Sequence, residues 1–262
     1  MNSETLLKLA DLSACRKQLF DEIKKAPQDL NLRIFLFQLS CILADWARAL
    51  SQLEFIRQLD ASTESLESTY RQLIQCEQKR EQVLKGTETL VCFGPVTTWL
   101  EHFKPVFSLL AASQISEAAE ATAAGLQIAP SLKGKINGEP FEWLCDADSR
   151  FGPILEVMLQ GGYAWLPLEN IEKLEFEPIE DLRDLVWRAV NITLKNNGVL
   201  LAFVPVRYPL TNTTTDAEKL SRHTTWEQPE NEFYIGQGQR IWMTDQAEYL
   251  FSEIDVVEFG AS

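Results

Sequence analysis

The most constraining stretch of this sequence is a nearly uninterrupted apolar run close to its N-terminus. From Ile34 to Ala44 only Gln38 and Ser40 are polar. A helix that is apolar on almost every side has to be buried among several neighbours. The run has only about eleven residues, which is too short to cross a bilayer. It therefore predicts a helix held inside a stack of other helices.

A second helix is predicted directly after this run. Asp45 is a suitable N-cap, because its carboxylate can accept hydrogen bonds from the free amide groups of the first turn. Apolar residues then recur at helical spacing, namely Trp46, Leu50, Leu53 and Ile56. The two helices are expected to form a hairpin, and an amphipathic helix over residues 11–25 is expected beside it.

An offset of 34 residues relates parts of the N-terminal half. Ala10-Asp11-Leu12 recurs as Ala44-Asp45-Trp46. A third, degenerate copy is predicted to begin near Ser113. This period is typical of tetratricopeptide-like helix pairs. We therefore predict a tetratricopeptide-like α-helical domain over residues 1–130, with a further long helix at residues 62–85.

After Pro130 glycine and proline become regular, and the apolar runs shorten to the length of strands. The Asn-Gly pairs at residues 137–138 and 197–198 are typical of tight hairpin turns. The fold class is thus predicted to be α+β, with a mainly antiparallel β domain over residues 131–262. The predicted strands are residues 154–159, 163–166, 171–176, 189–194, 199–206, 240–243 and 248–251.

The composition and charge of the sequence argue against several classes of function. A net charge of −14 argues against a broad nucleic-acid surface, which requires clustered Lys and Arg. It also disfavours binding to an anionic membrane surface. The cysteines are odd in number and widely spaced, which indicates reduced thiols in a reducing compartment. With only two histidines no metal site is predicted. The N-terminus lacks the features of a signal peptide, so we expect a cytoplasmic protein.

Two polar clusters are the candidates for chemistry. Asp146, Asp148 and Arg150 lie within five residues, and Asp181 and Arg183 form a similar group. Paired carboxylates can bind a metal or act as acid and base. Asp and Ser are also ordinary turn formers that a nearby arginine can neutralise. The sequence favours this structural interpretation, and it predicts no catalytic residue and no cofactor.

Several strings of this sequence resemble the ImpE/TagJ family, accessory components of bacterial type VI secretion. The resemblance covers most of the chain, and its strings occur in the family's order. The strings are residues 32–39, 45–46, 48–50, 52–53, 146–150, 152–153, 155–156, 163–165, 181–185, 207–209 and 238–240, with Phe141, Trp143, Pro167 and Trp187. The polar segment at residues 211–232 and the helix at residues 62–85 carry little of it.

The resemblance implies a non-catalytic cytoplasmic adaptor. The family is associated with the small subunit of the contractile sheath, through a helix near that subunit's N-terminus. It is thereby linked to the AAA+ ATPase that recycles the sheath. Stacked helix pairs also form grooves that receive helices or peptides. If the groove follows the first helix of each pair, then Arg33, Phe37 and Ser40 face the partner, although Phe37 is equally compatible with a core position.

Two alternatives remain open from the sequence. One is a hydrolase-type enzyme whose site includes Asp146, Asp148 and Arg150, with Asp181 or Arg183. This alternative requires the side chains to converge in an open cleft. The other is a scaffold that self-associates through its β domain.

Overall fold

A computed structural model describes residues 2–95 and 97–260 of the chain. Its helices are α1 (Ser3–Lys8), α2 (Leu12–Lys25), α3 (Leu30–Ile42), α4 (Trp46–Leu59), α5 (Glu64–Leu84), α6 (Leu100–Phe103), α7 (Val106–Ala111), α8 (Ile115–Ile128) and α9 (Asp216–Lys219). Short 3-10 turns precede α5 and lie at Leu168–Asn170, Leu182–Leu185 and Phe251–Glu253.

The strands follow the long helices in the chain. They are β1 (Gly134–Ile136), β2 (Glu139–Phe141), β3 (Leu144–Asp146), β4 (Ile154–Leu159), β5 (Gly162–Pro167), β6 (Ile171–Phe176), β7 (Trp187–Leu194), β8 (Val199–Pro205), β9 (Thr224–Glu230), β10 (Phe233–Gly238), β11 (Ile241–Thr244), β12 (Glu248–Leu250) and β13 (Val256–Phe259). The architecture is α+β, as predicted.

The same turn joins the two helices of each N-terminal hairpin. After α3, Ala44 adopts a left-handed conformation with φ of 53°. Its amide donates to the carbonyl of Cys41 at 3.1 Å, and the Asp45 amide donates to Ser40 at 2.9 Å. These are the two hydrogen bonds of a Schellman motif. Equivalent left-handed residues follow α1 at Ala10 and α7 at Ser113. The 34-residue offset relates Ala10 to Ala44, and the third copy is predicted to begin near Ser113.

The first helices of the chain stack in order, and α3 lies in the middle of the stack. Its last two turns, from Leu36 to Ile42, are buried. Asp11, Asp29 and Asp45 cap the N-termini of α2, α3 and α4 through side-chain oxygens. The prediction of a buried helix within a stack is confirmed, whereas the tetratricopeptide-like character of the repeat stays a prediction.

Most strands, within the described residues, form an antiparallel sheet in the order β2-β1-β13-β6-β7-β8-β4-β5. Asn137 and Gly138 both have positive φ in the β1–β2 turn, as an Asn-Gly hairpin requires. A smaller sheet, β12-β11-β3, packs Leu144 and Trp242 against one face of the large sheet, and the hairpin β9–β10 stands apart. Strands β4 and β6 have the predicted bounds.

The helices and the large sheet share one hydrophobic core. Trp165 and Trp187 of the sheet pack in the same cluster as the helical residues Leu39 and Leu53. Residues 91–93 also lie along β5, where the Phe93 amide donates to the Trp165 carbonyl at 2.8 Å. The backbone amide of Leu12 donates to Asp216 at 3.0 Å. The long helices end at Ile128 and the strands begin at Gly134, but the two halves are extensively joined.

The polar sequence of residues 210–232 predicts a long loop, but about half of this segment is regular secondary structure. It contains α9, whose N-terminus is closed by a capping box between Thr215 and Glu218, and it contains β9. Every residue of β9 except Thr224 is exposed. A strand without a buried face has no apolar alternation, so the sequence signal for a strand was missing.

Replacing Ala44 with glycine is expected to raise the free energy of unfolding by about 0.5–1 kcal/mol, because glycine adopts positive φ without steric cost. Ala47→Gly is the matched control at an exposed position inside α4, and it should lower the free energy of unfolding by about 1 kcal/mol. Urea denaturation measures both changes. Effects of the same sign would contradict the strain assigned to Ala44.

Candidate functional site

The polar cluster after β3 is a closed structure of paired side chains. Asp148 is completely buried and accepts hydrogen bonds from Arg150 Nε at 2.8 Å and from the Gly236 amide at 2.8 Å. Arg150 Nη2 pairs with the same carboxylate and also reaches the Gly236 carbonyl at 3.3 Å. The pair therefore fastens the loop at residues 147–151 to β10.

Asp146 faces a different set of partners. It accepts hydrogen bonds from the Tyr208 hydroxyl at 2.8 Å and from the amide of Asp148 at 2.9 Å. Its second oxygen lies 3.4 Å from Arg240 Nε. Burial raises the pKa of Asp146 from 3.8 to about 7, although the positive charge of Arg240 opposes that rise.

Glu156 of β4 is the centre of the network. Arg80 of α5 donates to its two oxygens from Nε at 2.8 Å and Nη2 at 3.0 Å. Arg240, which immediately precedes β11, pairs with the same carboxylate, and the Tyr163 hydroxyl donates to it at 2.5 Å. Burial disfavours the charged form, but Arg80 and Arg240 outweigh it and lower the pKa of Glu156 to about 2.

Glu77, one helical turn before Arg80, extends the network into the helix–sheet core. It accepts from Arg80 Nη1 at 2.8 Å and from the indole nitrogen of Trp187 at 2.9 Å. The sequence contained a signal for these residues. Glu77 and Arg80 continue the seam of Tyr70 and Leu73 on α5 at helical spacing. Charged residues at seam positions indicate a buried pair.

Arg207 is a further buried arginine, and backbone carbonyls satisfy it. It donates to the backbone carbonyls of Cys41 at 2.9 Å, Ile42 at 2.8 Å and Lys219 at 2.7 Å. The first two carbonyls end α3, so the positive charge lies at the negative end of the helix dipole. Burial lowers the pKa of Arg207 to about 10, a value at which it stays protonated at neutral pH.

The second predicted cluster lies elsewhere. Asp181 pairs with Arg183, whose guanidinium carbon lies 4.8 Å from the centroid of the Tyr70 ring. Asp184 accepts from the backbone amide of Asp181 at 2.8 Å. Within the described residues no hydrogen bond or ion pair connects this cluster with Asp146 or Asp148. The structure therefore does not bring the two predicted clusters into one site.

The three residues predicted to face the partner do not form one exposed surface in the structure. Phe37 is 0% exposed and packs edge-on against Tyr70 at a centroid distance of 5.5 Å. Ser40 is buried and donates to the carbonyl of Leu36 at 2.6 Å. Arg33 alone of the three reaches the surface, where it stacks over Phe55 and donates to the Pro27 carbonyl. Because α5 and the sheet cover this side of α3, Phe37 and Ser40 are core residues.

Two surface clefts lie away from both polar clusters. One of about 900 Å³ runs between α5 and the sheet face on which α5 packs, and its lining contains Met158, Leu201 and Phe203. A more polar cleft of about 480 Å³ continues it along α5 past Arg71. Asp146, Asp148 and Arg150 line neither cleft. Both aspartates are buried, and each faces an arginine side chain.

The cysteine thiols, the possible metal ligands and the possible membrane-spanning helices were also compared with the structure. Cys15, Cys41 and Cys76 are buried free thiols, as predicted, whereas Cys92 and Cys145 are half-buried. Among the described residues, no group of three or more His, Cys, Asp or Glu is arranged to hold a metal ion. None of the described helices combines the length and hydrophobicity needed to cross a membrane.

The fold and the site together define a class. It comprises α+β proteins in which N-terminal helical hairpins are joined to an antiparallel sheet through a buried ion-pair network. The chain is 37% identical over 260 residues to the type VI secretion system accessory component TagJ of Pseudomonas aeruginosa, covering 99% of this chain and 91% of that protein. The ImpE protein family profile matches residues 138–258. The chain belongs to the ImpE/TagJ family.

A solved structure shares the whole fold. The crystal structure of protein VPA1032 from Vibrio parahaemolyticus matches with a TM-score of 0.90 and 24% sequence identity. The match covers 99% of this chain and 98% of that one. Helices and sheet are therefore arranged in the same way in both chains.

Glu156→Gln is expected to lower the free energy of unfolding by about 3–5 kcal/mol, because it leaves Arg80 and Arg240 buried without their shared counter-charge. Urea denaturation at neutral pH measures the change. Glu88→Gln is the control, since it removes an acid paired with Lys79 at the surface, where the cost should be below about 1 kcal/mol. Equal losses from both variants would contradict the central place of Glu156.

Asp146→Asn is expected to change how stability depends on pH. The folded pKa of about 7 lies above the ordinary 3.8, so between these values the folded state binds more protons than the unfolded state. The free energy of unfolding should therefore decrease as the pH rises from about 4 to about 7. The part of this decrease that comes from the Asp146 carboxyl group should be absent in Asp146→Asn.

The measurement is a series of urea unfolding curves for wild type and Asp146→Asn across this pH range. The difference between the two proteins in the free energy of unfolding at each pH gives the contribution of the Asp146 carboxyl group. Glu156 acts in the opposite direction, since its stabilising effect is present above about pH 4.5 and is lost toward pH 2. Wild-type and variant curves that run parallel between pH 4 and 7 would contradict the raised pKa.

Proposed function

We propose that this protein is a non-catalytic accessory protein of a bacterial type VI secretion system that acts in the cytoplasm. The observation that carries the proposal is its 37% identity to the accessory component TagJ over 99% of the chain. The geometry supports a binding role, because the carboxylates of Asp146 and Asp148, which resembled a catalytic pair, are buried and face arginine side chains. An enzyme would need such groups to reach a substrate.

The proposed partner is the small subunit of the contractile sheath, recognised through a helix near its N-terminus. By holding that helix, the protein would modulate sheath assembly or the disassembly driven by the AAA+ ATPase. The resemblance to the ImpE/TagJ family supports this partner. A mixed helical and sheet surface with an apolar cleft of about 900 Å³ supports a helix as the bound element.

Electrostatics favours a positively charged partner segment. The chain carries a net charge of −14, which attracts basic segments over distances of about one Debye length, roughly 8 Å at physiological ionic strength. This attraction increases the association rate more than it increases the final affinity. Arg33 remains a proposed partner contact at the edge of the helical surface. Phe37 and Ser40 are buried and contribute to packing of the core.

Titration of the full-length protein with a fluorescent peptide from the N-terminal helical segment of the cognate small sheath subunit tests the proposal. We expect saturable binding in the micromolar range or tighter, measured by fluorescence anisotropy, with faster dissociation or slower association at high salt. A peptide of the same composition in scrambled order is the control, because scrambling destroys its apolar face and keeps its charge.

Absence of saturable binding at high micromolar peptide concentration would argue against the proposed partner. Equal binding of the scrambled peptide would show that the attraction is only a matter of charge. Either result would leave the family membership unaffected, since that rests on sequence identity along the chain.

A further inference from the structure

The sequence contains two Asn-Gly pairs, Asn137-Gly138 and Asn197-Gly198, and each lies in a hairpin turn. The first turn joins β1 to β2, and the second joins β7 to β8. Both asparagines have a left-handed backbone conformation, with φ of 50° at Asn137 and 64° at Asn197. Asparagine loses its side-chain amide most readily before glycine, because glycine has no side chain to hinder its own backbone nitrogen. Since both turns share this sequence and conformation, their surroundings determine how they differ in reactivity.

The side chain of Asn137 is held by the segment that leads into β13. Its Nδ2 donates to the Glu253 carbonyl at 2.8 Å, and its Oδ1 accepts from the amides of Asp255 at 2.8 Å and Val256 at 3.1 Å. The backbone amide of Asn137 also donates to the Val256 carbonyl at 2.8 Å. All three side-chain hydrogen bonds must break before the Asn137 amide can turn toward the nitrogen of Gly138.

The side chain of Asn197 is exposed, and no hydrogen bond holds it in the part of the chain that the structure describes. Only its backbone is fixed, since the Asn197 amide donates to the Leu194 carbonyl at 2.8 Å. The Gly198 amide donates to Asn196 Oδ1 at 2.9 Å in an exposed hydrogen bond. Water can replace that bond. The Asn197 side chain is therefore free to rotate toward Gly198.

This turn can open while the sheet stays folded. The last backbone pair between β7 and β8 before the turn is Thr193 with Val199. Farther along β7, the buried side chains of Val190 and Ile192 hold the strand in the core. Opening the exposed end of a hairpin costs much less free energy than unfolding the whole protein. The backbone rotation that brings the Gly198 nitrogen to Asn197 is therefore accessible in the native state.

The reaction needs only water and a base. The Gly198 amide gives up its proton, and its nitrogen attacks Cγ of Asn197. A bond forms between that nitrogen and Cγ, the bond from Cγ to Nδ2 breaks, and Nδ2 takes up a proton and leaves as ammonia. The product is a five-membered succinimide. Water then opens one of the two ring C–N bonds, which gives either aspartate or isoaspartate at position 197 and adds one negative charge.

We propose that Asn197 is a site of spontaneous deamidation in the folded protein and that the structure protects Asn137 from the same reaction. The isoaspartate product adds one methylene group to the main chain between the Asn197 nitrogen and the Gly198 carbonyl. Both of these groups are hydrogen-bonded to Leu194, so the product strains the turn and adds a carboxylate beside Lys195. The inference does not rest on the proposed function, because it requires no partner.

Peptide mapping by mass spectrometry tests the proposal on the full-length protein incubated at mildly alkaline pH. In the folded protein Asn197 should deamidate at least about tenfold faster than Asn137, because three hydrogen bonds hold the Asn137 side chain. The same chain unfolded in guanidinium chloride is the control. There the two rates should agree within about twofold, since the tertiary contacts are lost.

Three results would overturn the proposal. One is equal or faster deamidation of Asn137 in the folded protein. Another is an unreacted Asn197 in the folded protein over a period in which the unfolded chain reacts. The third is a difference between the two sites in guanidinium chloride as large as that in the folded protein, because the local sequence would then be the cause.

Gly198→Ala tests the chemical route. Gly198 does not have a left-handed backbone conformation, and the atom nearest to an added Cβ is Oδ1 of the Asn196 side chain at 3.0 Å. This side chain is exposed and can move, so the variant should fold and melt like the wild type. Deamidation of Asn197 should slow at least about tenfold, because alanine restricts the rotation that brings its nitrogen to Cγ. The rate at Asn137 should stay within about twofold of wild type. An unchanged rate at Asn197 would overturn the succinimide route.

Discussion

The structure depends on one carboxylate that pairs with two arginines from distant parts of the chain. Glu156 receives Arg80 from α5 and Arg240 from the segment before β11. A buried ion pair contributes little net stability relative to an apolar core, but removing one partner is costly because the other charge remains without compensation. The network therefore favours the arrangement of helices and sheet in which Arg80 and Arg240 both reach Glu156.

The hydrophobic contacts and the polar network act on the same interface. Trp165 and Trp187 fill the space between helices and sheet, and their indole nitrogens donate to Tyr163 and Glu77 of the network. Arg207 extends this arrangement to the end of α3. A boundary at residue 131 separates the long helices from the strands. Residues on both sides of this boundary nevertheless pack into one hydrophobic core. The ion pair between Arg80 and Glu156 also crosses this boundary.

Local features of the fold were predictable from sequence because local interactions determine them. The bounds of β4 and β6 follow from short apolar runs between turn residues, and the Asn137-Gly138 turn follows from the conformational freedom of those two residues. The buried face of α3 was not predictable in detail. A helix that is apolar all round does not reveal which neighbour covers Phe37, and here the neighbour is α5.

The site was harder to predict than the fold for a physical reason. A charged residue is buried only where its partner is, and the partners here are distant in sequence: Arg80 and Glu156 are 76 residues apart. The strings that resemble the family contain Glu156, Arg207 and Arg240, yet the resemblance alone does not state that they meet. The cluster at Asp146 and Asp148 was visible because its members are neighbours in sequence, and in the structure both carboxylates are buried beside arginines.

The hydrogen bond between the Leu12 amide and Asp216 has a consequence for the order of events during synthesis. These residues are 204 positions apart, so the first long helix of the chain acquires this N-terminal contact only when most of the protein has left the ribosome. Distant contacts of this kind are slow to form, because the loop between them must first be closed. The early helices therefore spend much of translation with their sheet-facing sides open to chaperones and proteases.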